Sequence, residues 1–414
     1  MSFTNGVPSA SAFADNEIRD GVAVAELIPL LLALASSRRD AEVLEDRFRP
    51  ALLTPIIGAL AQGGLEPEVI ADLRARIAEL LASLTADDLE LRPLSDEFLL
   101  QCLEYMTGQR DAGYIPLLRR ELNWGVDTDR PPSDLGDRAG GRRIAIIGGG
   151  ISGVALATRL VQAGIDFVLF EKNLDLGGTW LENRYPGCRL DTSNFGYSYS
   201  FAQTIWRHYF STRDEVRDYI QSVAEAEGVL PFVRFGAEVS NATWTGERWL
   251  LEVDGAAEEF DFVVSAVGQL NRPKLPEIRG MDTFAGESWH SATWPETADV
   301  AGKRVALVGT GASGYQIGPA IAERVEALTV FQRTPPWILP TPGYSSELPA
   351  PYLTLLERFP AYRRWLRFYQ FWVSMEGRLR FTHADPQWAG EGSVSAVNAE
   401  FRDVLERSLR EQFD

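Results

Sequence analysis

Apolar residues change their spacing along this chain. Up to about residue 125 they recur at helical intervals. From 143 to 331 short apolar runs alternate with glycine turns and amphipathic stretches. After Pro340 helical spacing returns, now rich in aromatics. Leu65 to Leu84 shows the first regime clearly. Val69, Ile70, Leu73, Ile77, Leu80, Leu81 and Leu84 fall on one face, with Pro67 in the first turn. Ser95 is the expected N-cap of a helix carrying Phe98, Leu99, Leu103 and Met106. Val22 to Ala35 is the longest apolar stretch, interrupted by Glu26, and reads as one buried helix. It is too short to span a bilayer and lacks the basic lead-in of a signal peptide. No catalytic cluster stands out here, and the region reads as a packing or oligomerisation module.

The middle regime is organised around residues 143 to 171. An apolar run from Arg143 to Ile147 predicts a strand. Gly148, Gly149, Gly150, Ile151, Ser152 and Gly153 predict a tight turn, and Val154 to Ala163 a helix stopped by Gly164. Phe167 to Phe170 predicts a second strand, which ends in Glu171. Strand, G-x-G-x-x-G, helix, strand and acid in this order form a dinucleotide site. Gly148 allows the turn, Gly150 leaves room for a pyrophosphate and Gly153 lets the helix pack close. The helix start offers free N–H groups to phosphate. Glu171 lies 18 residues beyond Gly153, where a carboxylate accepts from ribose hydroxyls.

Further on, an amphipathic helix after Phe210 carries Val216, Tyr219, Ile220 and Val223, and residues 232 to 264 read as short strands. A second unit follows. Arg304 to Val308 predicts a strand, and Gly309, Thr310, Gly311, Ala312, Ser313 and Gly314 a second G-x-G-x-x-G. Tyr315 to Arg324 predicts a helix and Leu328 to Phe331 another strand. The strand-end acid is replaced by Gln332, Arg333 and Thr334. A guanidinium can bind a 2′-phosphate that an acid would repel, so this site is expected to prefer NADP over NAD.

Composition narrows the function. The chain has 414 residues, and its formal net charge is −18, from 58 acids against 40 bases. That balance disfavours nucleic acid and anionic lipid as partners. Cys102 and Cys188 form no C-x-x-C, which argues against a disulfide-reductase centre and a structural zinc site and fits a reduced, cytoplasmic setting. No metal is expected. Two dinucleotide folds in one chain imply a flavin, FAD, reduced by a nicotinamide. The fold class expected is α/β, with two Rossmann-like dinucleotide-binding domains, for FAD and NADP, preceded by an all-α N-terminal domain.

Phe284-x-Gly286-x-x-x-His290-x-x-x-Trp294-Pro295 resembles the fingerprint of Baeyer–Villiger monooxygenases and sits between the glycine motifs, as in that family. Gly177-Gly178-x-Trp180, Arg184-Tyr185-Pro186-Gly187 and Asp191 resemble a second family pattern. The flavin-containing and N-hydroxylating monooxygenases share the layout, but the Trp294-Pro295 ending favours the Baeyer–Villiger branch. The resemblance covers residues 141 to 340. The helical region before it resembles the extension of a branch acting on aryl ketones of the 4-hydroxyacetophenone type.

The resemblance implies an enzyme that uses NADPH and O2 to convert a ketone to an ester through a flavin C4a-peroxide. It places Glu171, Gly178, Thr179, Trp180, Arg189, Leu190, Asp191 and Tyr197 at FAD, and Gly309 to Gly314, Gln316, Arg333 and Thr334 at NADP. Asp191 would be catalytic, paired with an arginine outside the residues given. His290 would lie at the domain connection rather than act as a base. A homodimer is implied. The division expected is 1–126 helical extension, 127–141 linker, 142–283 FAD domain, 284–302 fingerprint linker and 303–414 NADP domain with a helical insertion. The family's return to the FAD sheet, with its arginine and a final A-T-G-type segment, is not found before Asp414, so the chain reads as incomplete. A non-catalytic nucleotide-binding or subunit-pairing role stays open as the alternative.

Overall fold

The computed structural model describes residues 16–51, 62–85, 87–122, 124 and 127–413. The chain divides into two compact units. One comprises residues 129–191 and 211–336; the other takes in the N-terminal region to 128, residues 192–210 and the chain from 337 onward.

The first unit is α/β. Its main sheet contains β1 (Ile144–Ile147), β2 (Phe167–Glu171), β3 (Val233–Phe235) and, much later, β7 (Phe262–Ser265). They lie side by side in the order β3-β2-β1-β7, all parallel. Parallel neighbours need crossovers, and helices supply them. Ile151–Ala163 joins β1 to β2, and Arg213–Ala226 precedes β3. Thr212 and Glu215 start the latter helix as a reciprocal capping box. Between β3 and β7 runs an antiparallel meander of β4 (Val239–Trp244), β5 (Trp249–Val253) and β6 (Ala256–Phe260). Its Leu251, Val253 and Phe260 are buried with Ala145 of β1 and Phe170 of β2. A second parallel pair, β8 (Arg304–Val308) and β9 (Ala327–Phe331), is joined by the helix Ala312–Ala322. The segment expected as a linker contains a helical turn, Leu135–Arg138, and a Cβ on Gly136 would fall 2.0 Å from the carbonyl oxygen of Gly164.

The second unit is helical. The stretch expected as one helix from Val22 to Ala35 is two, Asn16–Val24 and Leu27–Arg38. Pro29 is the reason: in a continuous helix it could not donate to Ala25 and would clash there, whereas in a new first turn it is harmless. Gln62 fills the break, its amide donating to the Ala25 carbonyl at 2.8 Å and accepting from Leu27 N at 2.9 Å. Leu27 to Ser36 are all buried, as a helix apolar all round requires. Pro67–Ala82 and Asp96–Thr107 follow, and Ser95 caps the latter at Phe98 N, 3.2 Å. Late helices complete the unit. In Pro360–Ser374, Trp365, Leu366 and Trp372 are buried, and the Trp365 indole donates to Ser36 at 2.7 Å. In Ala396–Phe413, Leu405 is buried while Leu409 is exposed; the side chain of Phe413 lies outside the described residues. Residues 192–210 are held in this unit by Arg367, which donates to the carbonyls of Phe195 (2.5 Å) and Ser198 (2.8 Å). Among the described residues no helix is long and apolar enough to cross a membrane.

Candidate functional site

Each glycine of the first motif has a separate cause. Gly148 adopts φ +107°, and a Cβ there would meet the Ala266 carbonyl at 2.6 Å. A Cβ on Gly153 would fall 1.9 Å from the carbonyl oxygen of Gly148. Both are required by the protein itself. Gly150 is different. Its backbone is extended, φ −83° and ψ −169°, which any residue adopts, and a Cβ would find only the Gly178 Cα at 3.6 Å, an ordinary contact. Nothing in the fold demands glycine there, so the open space is a cradle that a side chain would fill.

The second motif repeats this division. Gly309 has φ +104°, and a Cβ on Gly314 would lie 2.4 Å from Gly309 O. Gly311 is extended, with nothing within 4 Å of a Cβ. The N–H of Gly148 bonds to Phe170 O, and that of Gly309 to Phe331 O, each at 2.9 Å. Helices of 13 and 11 residues begin at Ile151 and Ala312, directly after the open glycines, so the positive ends of their dipoles face the two cradles. The pair fits two dinucleotide phosphates.

The strand ends differ. Glu171 is buried, and its carboxylate accepts from Gly149 N at 2.6 Å and from Asn173 N and Nδ2, each at 2.8 Å. At the matching place Gln332 donates to the Thr310 hydroxyl at 2.9 Å, and Arg333 and Thr334 are exposed. Gly149, an x position of the motif to which spacing alone assigns no role, also has to be glycine, since a Cβ there would meet Leu176 at 2.5 Å and Glu171 at 2.9 Å. Three glycines in a row were its signal.

The loop after β2 is tied to the first motif. Gly177 N donates to Gly149 O at 3.0 Å, and Gly177 and Gly178 both have positive φ. The short helix Thr179–Glu182 follows, with Trp180 buried, Thr179 exposed and Arg213 donating to the Trp180 carbonyl at 3.1 Å. Ser152 is exposed in the first turn of its helix and Leu190 is buried. Burial pushes the thiols of Cys102 and Cys188 up, and both cysteines are free. Among the described residues no cluster of His, Cys, Asp and Glu has the makings of a metal centre.

Asp191 and Gln316 meet, although sequence reasoning assigned them to different cofactors. Gln316 is buried in the helix Ala312–Ala322, and its Nε2 donates to Asp191 Oδ1 at 2.6 Å and to Arg189 O at 3.0 Å. Tyr197 belongs to the helical unit. In the fingerprint, Phe284 and Gly286 are exposed, and Trp294, beside Pro295, packs edge-on against Trp289 at 5.3 Å. His290 Nδ1 accepts from Ala292 N at 3.1 Å and so caps its own turn.

The family model described as flavin-binding monooxygenase-like matches residues 141–361. A protein named Baeyer-Villiger monooxygenase from Streptomyces coelicolor is 46% identical over 202 residues, 48% of this chain and 39% of that protein. An uncharacterized monooxygenase, y4iD, of Sinorhizobium fredii is 32% identical over 363 residues, 84% of this chain and 54% of that protein. That match is too long to fit within residues 141–414, so it reaches into the N-terminal helical region. A solved structure, ε-caprolactone-bound cyclohexanone monooxygenase in the Loose conformation, aligns with TM-score 0.50 and 33% identity over 54% of this chain and 45% of that one. The chain thus spans about half the length, or less, of the proteins it matches.

Proposed function

We propose that this chain, which belongs to the flavin-binding monooxygenase-like family, serves a Baeyer–Villiger monooxygenase. It would hold FAD at Gly148–Gly153 and NADPH at Gly309–Gly314, and use O2 to convert a ketone to an ester. An aryl ketone of the 4-hydroxyacetophenone type is the substrate the resemblance favours. The observation that carries the reading is the pair of open glycines. Gly150 and Gly311 alone in their motifs have no cause inside the protein, and a pyrophosphate supplies one.

The chain's residues divide the work as follows. The N-terminal N–H groups of Ile151–Ala163 and Ala312–Ala322 meet the phosphates. A carboxylate has about four acceptor positions; Gly149 and Asn173 occupy three on Glu171, and a ribose hydroxyl can take another. Arg333 binds the 2′-phosphate that distinguishes NADPH. Asp191 presents its charge beside the flavin, its orientation held by Gln316. FAD and NADPH supply the hydride transfer and the oxygen activation when bound. Burial of the thiols fits a cytoplasmic enzyme, and a homodimer completes the reading.

The test is direct. FAD is titrated into the purified protein by flavin fluorescence, and NADPH-dependent O2 uptake is followed with and without 4-hydroxyacetophenone. FAD binding with ketone-dependent uptake and ester product supports the proposal. FAD binding without turnover favours the nucleotide-binding or subunit-pairing alternative. Oxidation at the nitrogen of an amine would place the chain with the N-hydroxylating branch. Absence of FAD binding overturns the reading.

A further inference from the structure

Gln316 is a buried amide of the first unit with four polar contacts. It lies in the helix that opens at the second glycine cradle, yet its side chain turns away to the loop that follows the first. Its amide is used at both ends. The oxygen accepts from Tyr185 OH at 2.9 Å and from Arg189 N at 3.4 Å. The nitrogen donates to Arg189 O and Asp191 Oδ1. A flipped amide would set its oxygen against the Asp191 carboxylate and its N–H against that of Arg189, so the partners fix its orientation. Burial pushes the Tyr185 phenol up, which keeps it a donor.

A second contact lies at the same place. Gly187 has φ +80°, and a Cβ there would stand 2.6 Å from the backbone oxygen of Gln316 and 3.1 Å from Ala320 Cβ. The loop backbone is pressed against the helix, one turn beyond the glycine cradle. A helix moves as a rigid body over so short a distance, so whatever orders its N-terminus also sets Gln316 and, through it, residues 185–191.

We propose that Gln316 is a positioning residue: it couples occupancy of the second dinucleotide site to the placement of Asp191 and its loop beside the first. The proposal rests on the reading of the two cradles as FAD and NADP sites. Coupling between ligands is reciprocal, so either nucleotide reports it.

Two variants test the role. Gln316→Glu keeps an acceptor for Tyr185 but faces a carboxylate with Asp191 and with the Arg189 carbonyl. Gln316→Leu removes every polar contact. FAD affinity is measured by flavin fluorescence with and without saturating NADP+. In the unaltered protein NADP+ is expected to change FAD affinity by about fivefold or more. Gln316→Glu should bring that factor close to one. A factor that is already one in the unaltered protein, or that persists in both variants, overturns the proposal. Hydrogen exchange without nucleotide keeps the two readings separable. Amides of residues 185–191 should exchange about tenfold faster in Gln316→Leu, the loss expected for a tether worth one or two hydrogen bonds, with β1 and β2 still protected. Unchanged exchange overturns the tether. If neither nucleotide binds while the exchange result holds, it is the cofactor reading that fails.

Discussion

Arg367 donates its Nε hydrogen to the Glu121 carboxylate 2.7 Å away, and both side chains are almost wholly out of solvent. The guanidinium also donates to the Phe195 and Ser198 carbonyls and to the Ser198 hydroxyl. One buried cation thus joins the N-terminal helices, the late aromatic helix and residues 192–210. Glu121→Ala leaves that cation without its counter-charge. A loss of about 3–5 kcal/mol is expected, read as a lower urea midpoint by tryptophan fluorescence. Glu121→Leu combined with Arg367→Met should not restore it, because the Phe195 and Ser198 carbonyls then lose their donor. An unchanged midpoint in Glu121→Ala would dismiss the pair as a structural element.

The first motif offers a paired contrast. Gly150→Ala adds a methyl in open space, so thermal stability should hold while FAD affinity falls about tenfold or more, the cost of one misplaced methyl in a packed site. Gly153→Ala forces a Cβ to 1.9 Å from Gly148 O, so the turn must shift and stability falls first. Melting curves and FAD titrations on both variants decide it. Equal effects would show that the open space at Gly150 has no ligand.

The proposed preference for NADPH rests on Arg333. Arg333→Ala should weaken NADPH by about ten- to a hundredfold, the value of one charge-assisted contact, and leave NADH nearly unchanged. Parallel titrations with the two coenzymes measure it. Equal losses would remove the 2′-phosphate from the assignment.

Glu26 makes stability depend on pH. Its carboxyl accepts from Tyr209 OH at 3.0 Å and Gln370 Nε2 at 2.7 Å, within a cage completed by Tyr352, Tyr362 and Tyr369. Burial raises its pKa from 4.5 to about 8, against the opposing effect of those hydrogen bonds. The folded state therefore keeps a proton that the unfolded chain has lost above pH 4.5. Glu26's contribution is fully present below that value and falls away as pH rises to about 8. Glu26→Gln should flatten the dependence over this window and exceed the parent at pH 8 by at least about 1 kcal/mol, the value of one pKa unit. Denaturation at several pH values checks it; parallel curves would place the titration elsewhere.

What the sequence made legible follows the range of the forces involved. Gly153, Ser95 and Glu171 act on neighbours in the chain or across one βαβ unit, and their roles could be read from spacing. The break at Ala25–Glu26 had a local sign in Pro29, but an apolar run with no polar face hides its own interruption. Gln62 seals that break from 35 residues away, and Arg367 reaches Glu121 across 246. Such pairings leave no periodicity. Asp191 and Gln316 were each picked out from their motifs, yet only the folded chain brings them within 2.6 Å.

The position of β7 has a consequence for the order of assembly. β1 and β2 are joined by a single crossover helix, but β7 pairs with β1 through Ile144 and Phe262, more than a hundred residues apart. Closing so long a loop is entropically dearer and slower than forming the local unit. The turn at Gly148 packs on Ala266, just beyond β7, and Ala266 N bonds to Ile147 O at 2.8 Å. The nascent chain should therefore carry a half-made turn at Gly148 until the meander has emerged and β7 has docked, so that the first glycine cradle is completed late in folding. Pulse-labelled exchange during refolding would show this as protection of β1 and β2 ahead of β7; simultaneous protection would mean that the sheet closes in one step.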